Sequence, residues 1–237
     1  WNRGVAIPWY YWQTSETALW TSGGNLPSSS NWTSVTYGDG KFVAVASGSD
    51  VAAYSTDGVT WTASTLPSSS FWTSVTYGDG KFVAVAYRSN TTAYSTDGIN
   101  WTASTLPSFS DWYSVTYGDG KFVAVANSSN KAAYSTDGIN WTTSTLPSSS
   151  NWTSVTYGNG KFVAVVGNGG AAYSTDGVTW TASTLPSSSY WVSVTYADGK
   201  FVAVAFNSNT TVYSTDGINW TTSTLPSSSY WVSVTYG

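Results

Sequence analysis

Short runs of alternating apolar and polar residues recur along most of this chain. Each run is rich in Val, Thr, Tyr, Phe and Trp, and turn-forming residues, mainly Gly, Asp, Ser and Pro, separate it from the next. In the first complete set the runs cover 32–37, 41–46, 52–56 and 60–66. A period of two with β-branched and aromatic residues predicts β-strands, and no window shows the period of an α-helix.

The runs belong to a repeat of about 40 residues. Near-identical units cover 31–70, 71–110, 111–150, 151–189 and 190–229, here called units 1 to 5. Unit 4, with 39 residues, is one residue shorter than the others. Four antiparallel strands in a repeat of this length are typical of a β-propeller blade.

The two ends of the chain complete this pattern. Residues 230–237 repeat the first strand of a unit, and residues 1–30 resemble the remainder of one. The sequence therefore predicts an all-β, six-bladed β-propeller of four-stranded antiparallel blades, a single domain over 1–237. The sixth blade is expected to close by pairing 230–237 with 1–30, which hides the edges of an open sheet. The alternative is an open or oligomeric array in which terminal strands pair between molecules.

A Tyr-Ser-Thr-Asp-Gly-x-x-Trp segment closes the third run of each unit, at 54–61, 94–101, 134–141, 173–180 and 213–220. Asp-Gly between strands predicts a tight turn, since glycine accepts positive φ and the Asp side chain can bond nearby backbone. The segment resembles the Asp-box, or bacterial neuraminidase repeat, in a form shortened by one residue between Asp and Gly. The resemblance implies a propeller in which the Asp braces the turn and the Trp packs beneath it. These structural residues are Asp57, Trp61, Asp97, Trp101, Asp137, Trp141, Asp176, Trp180, Asp216 and Trp220.

The composition limits the reactions that the chain could catalyse and the partners that it could bind. The chain has no histidine and no cysteine, only 8% charged residues, and a net charge of −4. Enzymes similar to the Asp-box sialidases hold a carboxylate with three arginines, whereas this chain has two, Arg3 and Arg88. We therefore expect no enzymatic activity, no metal and no cofactor. The absence of a basic stripe argues against nucleic acid as a partner, and no apolar run is long enough to span a membrane.

The units differ mainly in two places, the loop between the second and third strands and the residues flanking the first Trp. Both are expected on one face of the molecule, because the links between strands two and three and between units emerge together. Variable loops on a rigid scaffold often bind ligands, although exposed loops also drift without function. The candidate ligand-binding residues are Trp9, Tyr10, Trp12, Phe71, Tyr87, Arg88, Asn90, Asp111, Tyr113, Asn127, Asn130, Tyr190, Phe206, Asn207, Asn209 and Tyr230.

Aromatic rings and amides together suit sugars, which have apolar faces edged by hydroxyl groups. The sequence therefore predicts a non-enzymatic, lectin-like module that binds glycans on a cell or particle surface, with repeated shallow sites between blades. It is expected to be extracellular or surface-exposed, as a monomeric ring or as a domain of a larger assembly. The chain contains no methionine, even at position 1, so we expect a processed product or a fragment.

The main alternative is a structural or adhesive repeat domain of a larger extracellular or phage tail-fibre protein. An engineered repeat propeller without a small-molecule ligand is a further alternative, because near-identical units favour recent duplication or design.

Overall fold

The structure is a computed structural model that describes residues 24–235. This part of the chain forms strands, turns and bends without an α-helix, so the predicted all-β class is confirmed. The strands are β1 (Asn31–Gly38), β2 (Lys41–Ser55), β3 (Thr62–Gly78), β4 (Lys81–Tyr87), β5 (Ser89–Ser95), β6 (Thr102–Gly118), β7 (Lys121–Asn127), β8 (Ser129–Ser135), β9 (Thr142–Ser150), β10 (Trp152–Gly158), β11 (Lys161–Val166), β12 (Gly170–Ser174), β13 (Thr181–Thr184), β14 (Trp191–Ala197), β15 (Lys200–Ala205), β16 (Ser208–Ser214) and β17 (Thr221–Ser229).

Each unit is an antiparallel meander in which neighbours in sequence are neighbours in the sheet. Strands β10–β13 of unit 4 and β14–β17 of unit 5 form separate four-stranded sheets, and β1–β9 form one nine-stranded sheet. The larger sheet arises because β3 and β6 each run from the fourth strand of one unit into the first strand of the next. The separate runs expected at 41–46 and 52–56 are likewise continuous in β2.

The linkers leaving units 1, 2, 3 and 5 lie within strands, whereas the linker leaving unit 4 does not. Proline and serine were predicted from the sequence to separate strands, but Pro67 and the serines after it lie within β3. The reason is a backbone partner, since Ser70 pairs with Ser49 in the loop between the second and third strands. The same pairing joins Ser89 to Ser110 in the next unit. The loop and the outgoing linker therefore lie side by side, on the face predicted from the connectivity.

The opposite face carries the two constant turns. The Asp-Gly segment and the Gly-x-Gly turn between the first two strands lie close together, as the bond from Asn159 Nδ2 to the Thr215 carbonyl (3.1 Å) shows. Asp119 and the equivalent residues occupy positive φ at the first turn, where the short side chain tolerates a left-handed backbone. The molecule thus has one nearly invariant face and one variable face.

The core lies between units. Val45, Ala52 and Leu66 of unit 1 pack against Trp72 and Val75 of unit 2, and equivalent clusters fill the following junctions. Each unit therefore buries its apolar surface against its neighbours, as expected for a repeat whose sheets cannot form a core alone.

Inner strands are joined by a repeated set of contacts. The Ser34 hydroxyl accepts a hydrogen bond from the backbone N–H of Val75 at 3.1 Å, and this bond recurs at each of the next junctions. Gly38 lies against the ring of Tyr77, where any Cβ would be 2.0 Å from Cγ. The same glycine–tyrosine contact follows at Gly78, Gly118 and Gly158.

The predicted sixth blade falls only partly within the described residues. Residues 230–235 continue from unit 5, and the backbone N–H of Val234 donates to the Ser193 hydroxyl at 3.2 Å, as in the earlier junctions. The sequence assigned the first strand of this blade to 230–237 and the rest of the blade to 1–30. The described parts of these ranges, 24–30 and 230–235, contain no strand beyond a single bridge residue at Val234, and residues 1–23 and 236–237 lie outside the described residues. A count of six blades therefore stays a prediction.

Candidate functional site

The variable face is edged by a continuous series of backbone pairs, here called the variable rim. It comprises the loops 47–50, 87–91, 127–131, 167–170 and 206–210 and the first residue of each unit. Phe71 shows how the series runs, because it pairs with Ser47 of the preceding unit and with Tyr87 of its own. Side chains predicted to bind a ligand in neighbouring units are thus brought next to one another.

Three aromatic candidates form a cluster at the end of this series. The ring centroids of Tyr190 and Phe206 are 6.4 Å apart, and those of Phe206 and Tyr230 are 5.0 Å apart. Their side chains remain exposed, at 48%, 40% and 67% respectively. Large apolar rings are normally buried, so contiguous exposed rings mark a surface available for contact. We call these residues the three-ring cluster.

The position of Tyr190 depends on a neighbouring glycine. A Cβ on Gly167 of unit 4 would be 2.5 Å from Cε2 of Tyr190, so the ring occupies the space of the missing side chain. The Tyr190 carbonyl also accepts a hydrogen bond from the Phe206 N–H at 2.8 Å. The ring is therefore held across the junction between units 4 and 5.

The junction between units 2 and 3 carries the cationic residue of the predicted set. The Arg88 guanidinium carbon lies 5.3 Å from the centroid of the Tyr87 ring, a cation–π distance. Arg88 is exposed and has φ 51°, while Asp111 is half-buried on the first strand of unit 3. Phe71 lies on the same rim, 54% exposed.

The junction between units 3 and 4 is polar. Asn127 Nδ2 donates to the carbonyl of Trp152 at 3.4 Å, and the Ser128 hydroxyl lies 2.8 Å from Asn127 Oδ1 and 3.1 Å from Asn151 Oδ1. Asn127, a predicted site residue, thus uses one of its two amide hydrogens in a structural contact with unit 4. The rim consequently changes from aromatic to polar and back again along units 2 to 5.

Asparagines occupy the tips of three loops. Asn90, Asn130 and Asn209 are exposed, and Asn207 beside the three-ring cluster has φ 52°. They are placed where a ligand on the rim could reach them. The remaining candidates, Trp9, Tyr10 and Trp12, lie outside the described residues.

The residue after the first Trp of a unit has a structural role that was not predicted from the sequence. Thr73, directly after the first Trp, donates its hydroxyl towards the carbonyls of Val85 (3.2 Å) and Trp112 (2.9 Å), the latter in the next unit. Thr153 makes the same pair of contacts while buried. Tyr113 occupies this position in unit 3 and is 42% exposed. Variation here therefore alters a bond between units as well as the surface.

On the constant face, the Asp-Gly segments share one hydrogen-bond arrangement. Asp57 Oδ1 accepts from the N–H groups of Val59 (2.8 Å) and Thr60 (2.6 Å) and from the Ser55 hydroxyl (2.9 Å). The Ser55 oxygen in turn accepts from the N–H of Gly58 at 2.9 Å. Each aspartate is therefore used within its own turn.

These bonds lower the pKa of the carboxyl groups. For Asp57 the backbone N–H groups of Thr60 and Val59 are the main causes. For Asp176, partial burial raises the pKa, but the N–H groups of Thr179 and Val178 and the Ser174 hydroxyl outweigh it and lower the pKa to about 2. All five carboxylates are ionised at neutral pH and serve as turn acceptors.

A phenylalanine of the second strand lies beneath each Asp-Gly turn, as Phe82 does where a Cβ on Gly98 would be 3.1 Å from its ring. In units 1 and 5 the tryptophan ring lies beside this phenylalanine, with a centroid distance of 6.5 Å between Phe42 and Trp61. Packing of the tryptophan directly beneath the turn stays a prediction. Trp101 packs against the cluster of Val45 and Leu66 from the preceding unit. Each tryptophan of this kind in units 2 to 5 contributes to a core between units, because a large flat ring can span two sheets.

The structure also contains a groove that was not predicted from the sequence. It has a volume of about 520 Å³ and lies on the variable face, where the linker entering unit 4 passes the third and fourth strands of that unit. In the sequence, the groove corresponds to the place where unit 4 is one residue shorter and reads Gly-Asn-Gly-Gly.

Within residues 24–235, no group of three or more acidic, His or Cys residues is close enough to hold a metal ion. The same residues include no helix with the length and apolar character needed to cross a bilayer.

Comparison with known proteins identifies the fold. No protein-family model and no curated protein sequence matches the chain. Among solved structures, virginiamycin B lyase from Staphylococcus aureus matches with a TM-score of 0.78 at 18% identity, over 89% of this chain and 76% of that one. YCF48 bound to a D1 peptide matches with a TM-score of 0.64 at 16% identity, over 84% and 68%. The nidogen/laminin complex matches with a TM-score of 0.66 at 9% identity, over 86% and 84%.

These neighbours are β-propeller proteins, and the chain therefore has a β-propeller repeat fold. At such identities the likeness concerns the fold alone.

Proposed function

We propose that this propeller is a non-enzymatic carbohydrate-binding module whose ligands contact the variable rim. The observation that carries the proposal is the three-ring cluster, with its exposed rings beside the loop amides Asn207 and Asn209. Aromatic faces pack against the C–H surface of a sugar, and amides donate to and accept from its hydroxyl groups. The described rim carries two basic residues, Arg88 and Lys131, and two acidic residues, Asp50 and Asp111, so its charges balance and a neutral ligand fits best.

The proposal of a non-enzymatic role rests on the side chains available. The aspartates of the constant face already accept several hydrogen bonds, which keeps them ionised and unsuited to transferring protons near neutral pH. One of the matching lyase structures is a catalytically inactive variant in which a histidine is replaced by alanine. The present sequence contains no histidine at all.

The proposal includes a closed ring of six blades built on Asp-box-like turns. Its support is the contact of Val234 with Ser193, which repeats the junction made by every earlier unit. Residues 230–237 and 1–30 would then form the sixth blade. Displayed outside a cell or on a particle, such a ring would present several weak sites to a repeating glycan, and avidity could exceed single-site affinity by about 10²–10⁴.

The test is binding of mono- and disaccharides by calorimetry, followed by the variant Phe206→Ala. Removing the central ring of the cluster should weaken binding at least about tenfold, equivalent to about 1.4 kcal/mol. Phe109→Ala is the matched control, because Phe109 is 64% exposed but has no aromatic partner among the described residues. Equal affinity of both variants and the wild type would remove the cluster from the site. Failure of the wild type to bind neutral or acidic sugars at millimolar concentration would contradict the proposed function.

A second candidate is a structural or adhesive repeat domain. The observation favouring it is the regular interlocking of units through Gly38, Gly78, Gly118 and Gly158, which would make a stiff spacer without any ligand. Full thermal stability of the Phe206→Ala variant together with an absence of sugar binding in the wild type is the result expected for this role.

A further inference from the structure

The groove in unit 4 differs from the corresponding place in the other units. Residues from the incoming linker, from the shortened loop and from the two outer strands line it. We call it the unit 4 groove, lined by Pro147, Ser148, Ser149, Ser150, Trp152, Val166, Asn168, Gly169, Gly170, Ala171, Ala182, Ser183 and Thr184.

The groove is open where a side chain is missing. In unit 4, Gly170 lies opposite Thr184 of the fourth strand. The equivalent pairs are Thr91 with Thr105 in unit 2 and Lys131 with Thr145 in unit 3, so Gly170 corresponds to Thr91 and Lys131. The corresponding residue is a threonine or larger in units 2, 3 and 5, whereas unit 4 has glycine. The loop before it is also one residue shorter.

Unit 3 shows what the missing side chain does. Lys131 extends across the corresponding place and donates from Nζ to the carbonyl of Phe109 at 2.9 Å. Phe109 lies in the linker entering unit 3, at the position that Ser149 occupies in the linker entering unit 4. The lysine thus bridges the two walls that remain separate in unit 4.

The shortened loop is compatible with this opening because of two further changes. Gly169 has φ 86°, and a Cβ there would be 2.7 Å from the Ser187 carbonyl oxygen, so glycine is required for the loop to pass the outgoing linker. Val166 replaces the alanine of the other units, and its Cγ2 would be 2.7 Å from a Cβ on Gly170. The valine methyl therefore fills part of the vacated space and forms an apolar base.

The chemistry of the groove is neutral throughout. Trp152 and Val166 are its most buried residues, at 1% and 2% exposure, and none of the lining side chains is ionisable. Asn168 and Thr184 are exposed and make no side-chain hydrogen bond to other residues of the described range. A volume of about 520 Å³ lies within the usual range of small-molecule sites, about 300–1,000 Å³.

We propose that the unit 4 groove is a separate binding site for a neutral mono- or disaccharide, distinct from the three-ring cluster. The inference rests on the proposed carbohydrate-binding function. The apolar base would contact a sugar C–H face, and Asn168, Thr184 and the linker serines would bond its hydroxyl groups. In unit 3 Lys131 takes the place of such a ligand.

The test fills the groove with the residues of a neighbouring unit. Val166→Ala combined with Gly170→Thr restores the pair found in units 2 and 5 and avoids the clash with the Val166 methyl. Amide resonances of Gly169 and Gly170 in the full chain report on ligands at this place. We expect a sugar that shifts them to lose at least about tenfold in affinity in the double variant. Phe109→Ala, in the linker entering unit 3 and outside the groove lining, should bind at this site as the wild type does.

Ala182→Leu provides a second way to fill the groove, from the opposite wall, should the double variant not fold. A sugar that binds the wild type but leaves the Gly169 and Gly170 resonances unchanged overturns the groove while leaving the proposed function intact. Equal affinity of wild type and filled variants overturns it as well. An absence of any sugar binding contradicts both proposals.

Discussion

Replacement of Gly78 by alanine tests how neighbouring units are held together. Gly78 is the last residue of an extended strand and has no positive φ, so its backbone does not require glycine. What requires it is space, because a Cβ would be 2.0 Å from Cγ and 2.3 Å from Cδ1 of Tyr117 in the next unit. The ring cannot turn aside easily, since its centroid lies 4.7 Å from that of Phe122.

The expected magnitude follows from the geometry. Carbon atoms in contact prefer about 3.5–4.0 Å, so the Tyr117 ring would have to move by about 1.5 Å. Overpacking of a well-filled core costs about 1–3 kcal/mol, and the size of this overlap indicates the upper end. For a domain of this size, about 3 kcal/mol corresponds to a fall in melting temperature of about 6–12 °C. Thermal unfolding followed by circular dichroism measures it.

The matched control is Gly80→Ala, two residues further along the same turn. Gly80 has φ 69° but nothing within 4 Å of a Cβ, so its cost is conformational alone, about 1–2 kcal/mol. In a Tyr117→Ala background, Gly78→Ala should cost little, because the overlapping ring is gone. A Gly78→Ala protein as stable as the wild type, or a cost that persists without Tyr117, would refute the steric explanation.

Two further predictions concern stability. Because the pKa of Asp176 falls from 3.8 to about 2 on folding, its carboxylate stabilises the fold above pH 3.8, and this contribution is lost as the pH falls towards 2. Asp176→Asn should therefore flatten the decline in melting temperature over that range, measured against the wild type in the same buffers. Thr153→Val removes hydrogen bonds to the carbonyls of Val165 and Trp191. It should cost about 1–2 kcal/mol in urea unfolding while leaving the fold intact, as the natural Val192 does in unit 5. An unchanged unfolding midpoint would contradict the role of that hydroxyl.

The strand pattern and the turns could be predicted from the sequence because both depend on local chemistry repeated in every unit. Alternation predicts a strand wherever it occurs, and Asp-Gly predicts a turn from backbone preferences alone. The pairing of Ser70 with Ser49 could not be found in this way, since a run of serines beside a proline has no strand signal of its own. That pairing depends on the position of the linker beside the loop 47–50 in the folded protein.

The same distinction separates the parts of the candidate site. Exposed aromatics such as Phe206 and Tyr230 could be selected because they vary between units that otherwise agree. The role of Thr73 was missed, because an aligned hydroxyl does not reveal whether it faces solvent or a carbonyl of the next unit. The unit 4 groove was not predicted because it results from an absent side chain. The effect of that absence becomes clear by comparison with unit 3, where Lys131 bridges the two corresponding walls.

The backbone pairing at the variable rim is the same whichever side chain occupies the first position of the loop. The position occupied by Tyr87 in unit 2 carries Asn127 in unit 3 and Phe206 in unit 5. Each nevertheless lies opposite the first residue of its own unit, so the backbone of the rim does not depend on the side chain. The bonds that recur at every junction are made elsewhere, by the first-strand serines and the Gly–Tyr contacts. Asn127 is an exception at the rim, because its amide also donates to the carbonyl of Trp152 in unit 4. Exchanging the side chains of Tyr87 and Phe206 between units should therefore leave the recurring junction bonds in place, and such exchanges provide a direct way to relocate binding along the repeat.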